Sequence, residues 1–128
     1  MPTEMITVYG ETDGTNTAGV FTLTSQAFTN SVQYIRLDQG LKAKIWGKRI
    51  AGSPVTVHIQ MTDDVTASTP AWRTIDTEYL SVEGNIDLEK RHPIIVEFKT
   101  GKEAIRFTWE QSTAAKSYVA FDIEVEEV

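Results

Sequence analysis

Residues 55–61 read Val-Thr-Val-His-Ile-Gln-Met, a strict alternation of apolar and polar side chains. The same two-residue period returns in residues 105–109 (Ile-Arg-Phe-Thr-Trp) and, with one alanine on the polar phase, in residues 119–125 (Val-Ala-Phe-Asp-Ile-Glu-Val). A β-strand points successive side chains to opposite faces, so this period is typical of strands with one packed face and one solvated face. The alternation therefore predicts an all-β fold.

Turn-forming pairs such as Asp13-Gly14 and Thr100-Gly101 divide the chain into ten short segments. The predicted strands are residues 4–9, 18–25, 31–37, 41–50, 55–61, 72–80, 85–89, 93–98, 103–109 and 117–126. Short strands at spacings of about ten residues are typical of a two-sheet sandwich or a small barrel. We expect a single antiparallel β-sandwich domain over residues 1–128, jelly-roll-like or immunoglobulin-like. The best helix candidate, residues 111–116, is one turn at most.

The apolar phase of these strands predicts the core. The side chains expected to be buried on that phase are Ile59, Ile105, Phe107, Phe121, Ile123 and Trp109. Trp46 instead breaks phase with Ala43 and Ile45, which predicts an exposed ring and a candidate platform for stacking on a ligand. The other rings that such a platform can use are Trp72, Tyr9, Tyr34, Tyr79 and Tyr118.

The composition disfavours several classes of function. The 128 residues carry a net charge of −6, which argues against binding to nucleic acids or to anionic membranes. No apolar run of about 18 residues is present to span a membrane. We expect no signal peptide, because the sequence has neither a basic start nor the apolar stretch that follows it in such peptides. The chain has no cysteine, so we expect no disulfide and no thiolate metal site.

Few residues have the character that catalysis requires. His58 lies on the polar phase of its strand, and His92 precedes Pro93, which favours an extended backbone. Two isolated histidines fall short of the three or four convergent ligands that zinc needs. The sequence also lacks a Gly-x-Ser-x-Gly elbow and both glycine-rich phosphate loops. We therefore expect a non-enzymatic protein without a cofactor.

One loop places several oxygen ligands close together. Glu11, Asp13 and Asn16 flank a glycine, and closely spaced oxygens suit a hard cation such as calcium. The loop lacks the distal bidentate acid of an EF-hand, so a polar turn is the preferred interpretation and no metal is predicted.

The N-terminal part of the chain is unusual for an edge of a sheet. Residues 14–35 contain neither a charge nor a proline, although exposed edge strands usually carry such protection. Val20, Phe21 and Leu23 would also present apolar groups on both faces of a strand. They must lie either inside the sandwich or under a neighbouring subunit. We expect residues 1–35 to form an intersubunit contact, and the sandwich to stay folded when residues 1–17 are removed.

Charge is also distributed unevenly along the chain. A basic stretch contains Arg36, Lys42, Lys44, Lys48 and Arg49, and an acidic end contains Glu124, Glu126 and Glu127. Solvated strand faces are one interpretation of these groups. The other, which we expect, is that the basic stretch of one copy meets the acidic end of the next in a homo-oligomer.

From Val55 to Val128 the chain resembles small β-sandwich structural proteins of virus particles, including phage capsid decoration and tail accessory proteins. The compact all-β pattern and the positions of Trp72, Pro93, Gly101 and Trp109 between and within strands carry this resemblance. It implies a virion component that acts through protein–protein contacts, with itself and a capsid as partners. Jelly-roll carbohydrate-binding modules look similar, so carbohydrate binding through exposed aromatic rings is the alternative function.

Overall fold

The computed structural model of this protein describes residues 4–25, 30–81, 83 and 93–128, which form eight β-strands. The strands are β1 (Glu4–Glu11), β2 (Ala18–Val20), β3 (Leu41–Gly52), β4 (Val55–Thr62), β5 (Arg73–Leu80), β6 (Ile94–Glu97), β7 (Ala104–Glu110) and β8 (Ser117–Glu127). None of the described residues is helical, and so no helix capable of crossing a membrane is found among them. The all-β prediction is confirmed.

Three predicted local elements are not found as predicted among the described residues. Residues 111–116, the best helix candidate, are not helical but form an irregular loop. In this loop the Gln111 side chain accepts from the Ala115 N–H (3.3 Å) and donates to the Ser117 hydroxyl (2.9 Å). Residues 31–37 make isolated bridges at Val32 and Ile35 instead of a strand. The predicted strand 85–89 lies outside the described residues.

The strands form two antiparallel four-stranded sheets packed against each other. Sheet A has the order β1-β8-β3-β6 and sheet B the order β2-β7-β4-β5. The pairs β1–β8, β2–β7, β3–β6 and β4–β5 are nested, as when one long antiparallel ribbon is rolled up. This is the arrangement of an eight-stranded jelly roll, so the jelly-roll form of the predicted sandwich is the one observed.

The core lies between the two sheets, where the predicted apolar phases meet. The six side chains predicted to be buried are at most 6% exposed: Ile59, Ile105, Phe107, Phe121, Ile123 and Trp109. Phe107 of sheet B stacks on Phe121 of sheet A, with ring centroids 3.9 Å apart. Both sheets therefore turn these phases inward, and their polar phases form the two outer faces.

Phe21, Leu23 and Ile35 of the charge-free N-terminal segment are buried in the sandwich, whereas Thr22 and Thr24 are exposed. Phe21 and Leu23 are 0% exposed, and the Phe21 ring lies 5.1 Å from Trp109 and 6.1 Å from Phe121. The chain crosses here from sheet B to sheet A, since the Phe21 N–H donates to the Phe107 carbonyl (2.9 Å) and Thr24 pairs with Tyr9. The positions that point inward lie in the core, where a charge would be costly. Phe21 and Leu23 are thus unavailable to a neighbouring subunit, and their assignment to an interface is wrong. Val20, before them, is half-buried.

The basic and acidic stretches are paired within one chain. Because β3 and β8 are neighbours in sheet A, Lys42 lies 3.4 Å from Glu126, and Lys44 lies 3.1 Å from Glu126 and 4.0 Å from Glu124. Hydrogen bonding from Lys44, and then from Lys42, lowers the pKa of Glu126. This corrects the expectation that these groups find their partners on an adjacent copy.

The remaining predicted interface charges occupy different settings. Arg49 is 6% exposed, and its guanidinium donates to the carbonyls of Leu80 (3.2 Å) and Ser81 (2.9 Å). Arg49 therefore closes one end of the sandwich and is not an exposed interface cation. Arg36 is exposed and donates to the Gly101 carbonyl at 2.6 Å. The half-buried Lys48 and the exposed Glu127 lie on β3 and β8.

Candidate functional site

The outer side of sheet B is an extended polar surface. Val57 and Ile59 of β4 point into the core, so the residues that alternate with them along the strand point outward. The same alternation holds in β7. The register places these outward residues side by side on β5, β4 and β7. We call this surface the polar face; it consists of Thr56, His58, Gln60, Thr74, Thr77, Tyr79, Arg106, Thr108 and Glu110.

His58 joins three strands at the middle of the polar face. Its Nδ1 lies 2.7 Å from the Thr77 hydroxyl on β5, and its Nε2 lies 2.8 Å from a carboxylate oxygen of Glu110 on β7. A carboxylate only accepts, so Nε2 carries a proton and donates to Glu110, while Nδ1 is hydrogen-bonded to the Thr77 hydroxyl. The imidazole is therefore held in one orientation before any ligand arrives.

Gln60 and Arg106 form a second ordered group. The Arg106 Nε donates to the Gln60 carbonyl oxygen at 2.8 Å, and the Gln60 amide donates to the Thr74 hydroxyl at 3.2 Å. The Arg106 guanidinium carbon also lies 4.4 Å from the centroid of the Trp72 ring, a cation–π contact. Burial lowers the pKa of Arg106, which nonetheless stays charged at neutral pH.

Aromatic rings stand at both ends of the polar face. Tyr79 is 65% exposed, more than any other ring among the described residues. It borders an open depression of about 670 Å³ together with Thr56 and Glu110. Trp72, at the opposite end, borders a depression of about 340 Å³. The length of β4 between these ends, from Thr56 to Thr62, is about 20 Å at the usual rise of a strand.

The tryptophan that the sequence singled out is not part of this surface. Trp46 is 8% exposed, so the expectation of an exposed stacking ring is wrong. It does lie on the outer phase of β3, opposite Asp122, but Ala120 on the same face is also fully buried. This part of sheet A is covered, which the strand phase alone does not reveal.

A larger depression, of about 760 Å³, lies where β1 meets the segment that follows β2. Tyr9 and Tyr118 border it and are 45% and 38% exposed. The charged groups that line it already have partners: Lys116 lies 3.2 Å from Glu11, and the Asp13 carboxylate accepts hydrogen bonds within its own turn.

The loop considered for calcium is a self-contained polar turn. The Asp13 carboxylate accepts from the backbone N–H groups of Thr15 and Asn16, both at 2.8 Å, and from the Asn16 amide at 2.7 Å. These bonds lower its pKa to about 2. Glu11 turns away to Lys116. Among the described residues, no three histidine or acidic side chains are grouped closely enough to hold a metal ion. His92 lies outside those residues.

Of the residues on the polar face, the sequence pointed to Tyr79 as an aromatic ring and to His58 as polar. It did not point to Gln60, Arg106 or Glu110. Their signal is their place on the polar phase of strands whose other phase is buried. The polar phase predicts that these side chains are exposed to solvent, but only the register of the strands shows that they lie next to one another.

No family model matches the chain, and no curated protein matches it. Among solved structures, it is similar to the CBM22-1–GH10 modules of Clostridium thermocellum endo-1,4-beta-D-xylanase 10B in complex with xylohexaose. The identity is 12% and the TM-score 0.44, and the match covers 95% of this chain. The chain spans 25% of the length of that protein.

Proposed function

We propose that this protein binds carbohydrate, and that a polysaccharide lies along the polar face of sheet B. The observation that carries this proposal is the position of Tyr79. Its ring is 65% exposed and stands at the end of a row of polar side chains that are hydrogen-bonded to one another.

The chemistry of the polar face suits a sugar. A pyranose ring has an apolar face of C–H groups, which packs on an aromatic ring such as Tyr79, and a rim of hydroxyl groups that both donate and accept hydrogen bonds. His58, Gln60 and Glu110 supply acceptors and donors for that rim. Because their neighbours already fix His58 and Gln60, little side-chain entropy is lost on binding.

The shape of the face favours a chain of sugars over a single small molecule. Small-molecule sites are usually enclosed and mostly apolar. Here the surface is an open sheet about 20 Å long by strand rise, with a ring near each end. An extended polymer can contact Tyr79 at one end and the Trp72 region at the other.

The test is glycan-array screening of the wild-type protein, followed by affinity measurement for Tyr79→Ala. We expect the variant to bind about tenfold more weakly or worse, because the stacking surface is lost, and to keep the wild-type melting temperature. The matched control is Tyr118→Ala, which removes a ring that is 38% exposed on the outer face of sheet A. Equal losses in both variants, or an array without a specific binder, would contradict the proposal.

A further inference from the structure

We propose that the polar face selects an acidic polysaccharide, and that Arg106 contacts the anionic group of its acidic sugar. This inference rests on the proposed function and names the class of ligand. The ligand expected is a polymer in which acidic sugars are separated by neutral ones.

Arg106 is held in place but has no acidic partner within the part of the chain that the structure describes. Its Nε is used by Gln60 and its flat guanidinium lies over Trp72. None of the ion pairs among the described residues includes Arg106. A guanidinium has five N–H donors, so the four on Nη1 and Nη2 are left for a ligand.

Arg73, at the same end of sheet B, differs from Arg106 in having an acidic partner. Its guanidinium lies 2.9 Å from the carboxylate of Asp63, so its charge is already matched. Arg106 is less exposed than Arg73, yet no described acidic residue is paired with it. A partly desolvated cation without a counter-charge is unfavourable, and an incoming anion removes that penalty.

The geometry of the guanidinium suits a planar or branched oxyanion. Two parallel N–H···O bonds form between the guanidinium fork and a carboxylate, and a sulfate can accept in the same way. The Trp72 ring and Gln60 prevent the fork from rotating freely, so the direction of approach is set before binding. Carboxylate and sulfate share this chemistry, and the experiment below separates them.

Glu110 explains why the polymer should not be charged on every sugar. It lies on β7 four residues from Arg106, about 13 Å away by strand rise, at the Tyr79 end of the polar face. An acidic sugar beside Glu110 would be repelled, and the protein as a whole carries a charge of −6. A neutral sugar therefore belongs at Tyr79 and an acidic one at Arg106.

The experiment compares four polymers: chondroitin, which alternates a uronate with a neutral amino sugar; carboxyl-reduced chondroitin; chondroitin sulfate; and polygalacturonate, which is charged on every sugar. We expect the wild-type protein to prefer chondroitin over its carboxyl-reduced form by about tenfold. Polygalacturonate should bind more weakly than chondroitin. Chondroitin sulfate that binds better than chondroitin would assign the contact to sulfate.

Variants at Arg106 connect this preference to one side chain. Arg106→Gln should bring the affinity ratio between chondroitin and carboxyl-reduced chondroitin close to one, and Arg106→Lys should retain part of the preference. The matched control is Arg73→Gln, which should leave the ratio unchanged. Melting curves check that each variant is folded.

The outcomes separate the two proposals. A wild-type protein that binds neutral glycans through Tyr79 without favouring the acidic polymer would overturn this inference alone. A preference that survives Arg106→Gln in a folded variant would also overturn it. A wild-type protein that binds no polymer here and no glycan on the array would overturn both.

Discussion

At the residue scale, the buried carboxylate of Glu78 lowers the stability of the folded protein when it is charged. It lies on β5 opposite Val57, so its side chain points inward, and its carboxylate approaches Gly47 of the other sheet. Burial, and then the charge of Asp76, raise the pKa of Glu78. The folded protein therefore holds this proton more tightly than the unfolded chain does. Above the raised pKa of the folded state, the charged carboxylate lowers the free energy of unfolding. This loss of stability disappears as the pH falls below the ordinary value of 4.5, where the unfolded chain is protonated as well.

Glu78→Gln should consequently stabilise the protein at pH 7, raising the melting temperature by up to about 3 °C. At about pH 4 the two proteins should melt together, because Glu78 is then protonated in both states. Calorimetry at the two pH values is the measurement, with the exposed Glu4→Gln as control. A lower melting temperature at pH 7, or a gain that persists in acid, would contradict this account of Glu78.

The tryptophans show what a single sequence can predict about residues. Trp109 was placed correctly in the core because Phe107 and Ile105 share its phase and its face is the inner one. Trp46 was misplaced because the phase identifies only the side of a residue's own sheet, and the outer side is covered at that point. Burial depends on what the rest of the chain packs against that side, and no local pattern contains this information.

At the scale of elements, long alternating strands were predictable and the segment around β2 was not. The predicted strands at residues 4–9, 55–61, 103–109 and 117–126 agree closely with β1, β4, β7 and β8. Residues 18–25 were predicted as one strand, but only Ala18–Val20 is regular. The alternation continues beyond β2, with Phe21 and Leu23 buried and Thr22 and Thr24 exposed, but the backbone there makes only isolated bridges as it crosses from sheet B to sheet A. Likewise, the polar face exists only through the pairing of β4 with β5 and β7, which the sequence does not specify.

The position of β1 argues against the expectation that the sandwich stays folded when residues 1–17 are removed. β1 pairs with β8 from Glu4 to Glu11, and its Val8 is 0% exposed. Deleting residues 1–11 would expose the full edge of β8 and one side of the core, so we expect unfolding or aggregation. Urea denaturation checks this, with deletion of residues 1–3 as the control. A shortened protein with an unchanged unfolding midpoint would show that β1 contributes little.

At the scale of the whole molecule, the two outer faces of the jelly roll differ in how their charged side chains are paired. On the outer face of sheet A, Lys42 and Lys44 are paired with Glu124 and Glu126, whereas on the outer face of sheet B Arg106 has no acidic partner among the described residues. The homo-oligomer and the virus particle stay predictions. Any contact in them must use residues other than Phe21 and Leu23, which lie in the core.

The central claim is that a glycan lies on the polar face of sheet B. Amide chemical-shift mapping of the wild-type protein with an oligosaccharide that binds on the array tests it most directly. The account predicts that the shifts concentrate on β4, β5 and β7 around His58, Tyr79 and Arg106, and that the outer face of sheet A is unaffected. Shifts centred instead on Tyr9 and Tyr118, beside the larger depression, would contradict it.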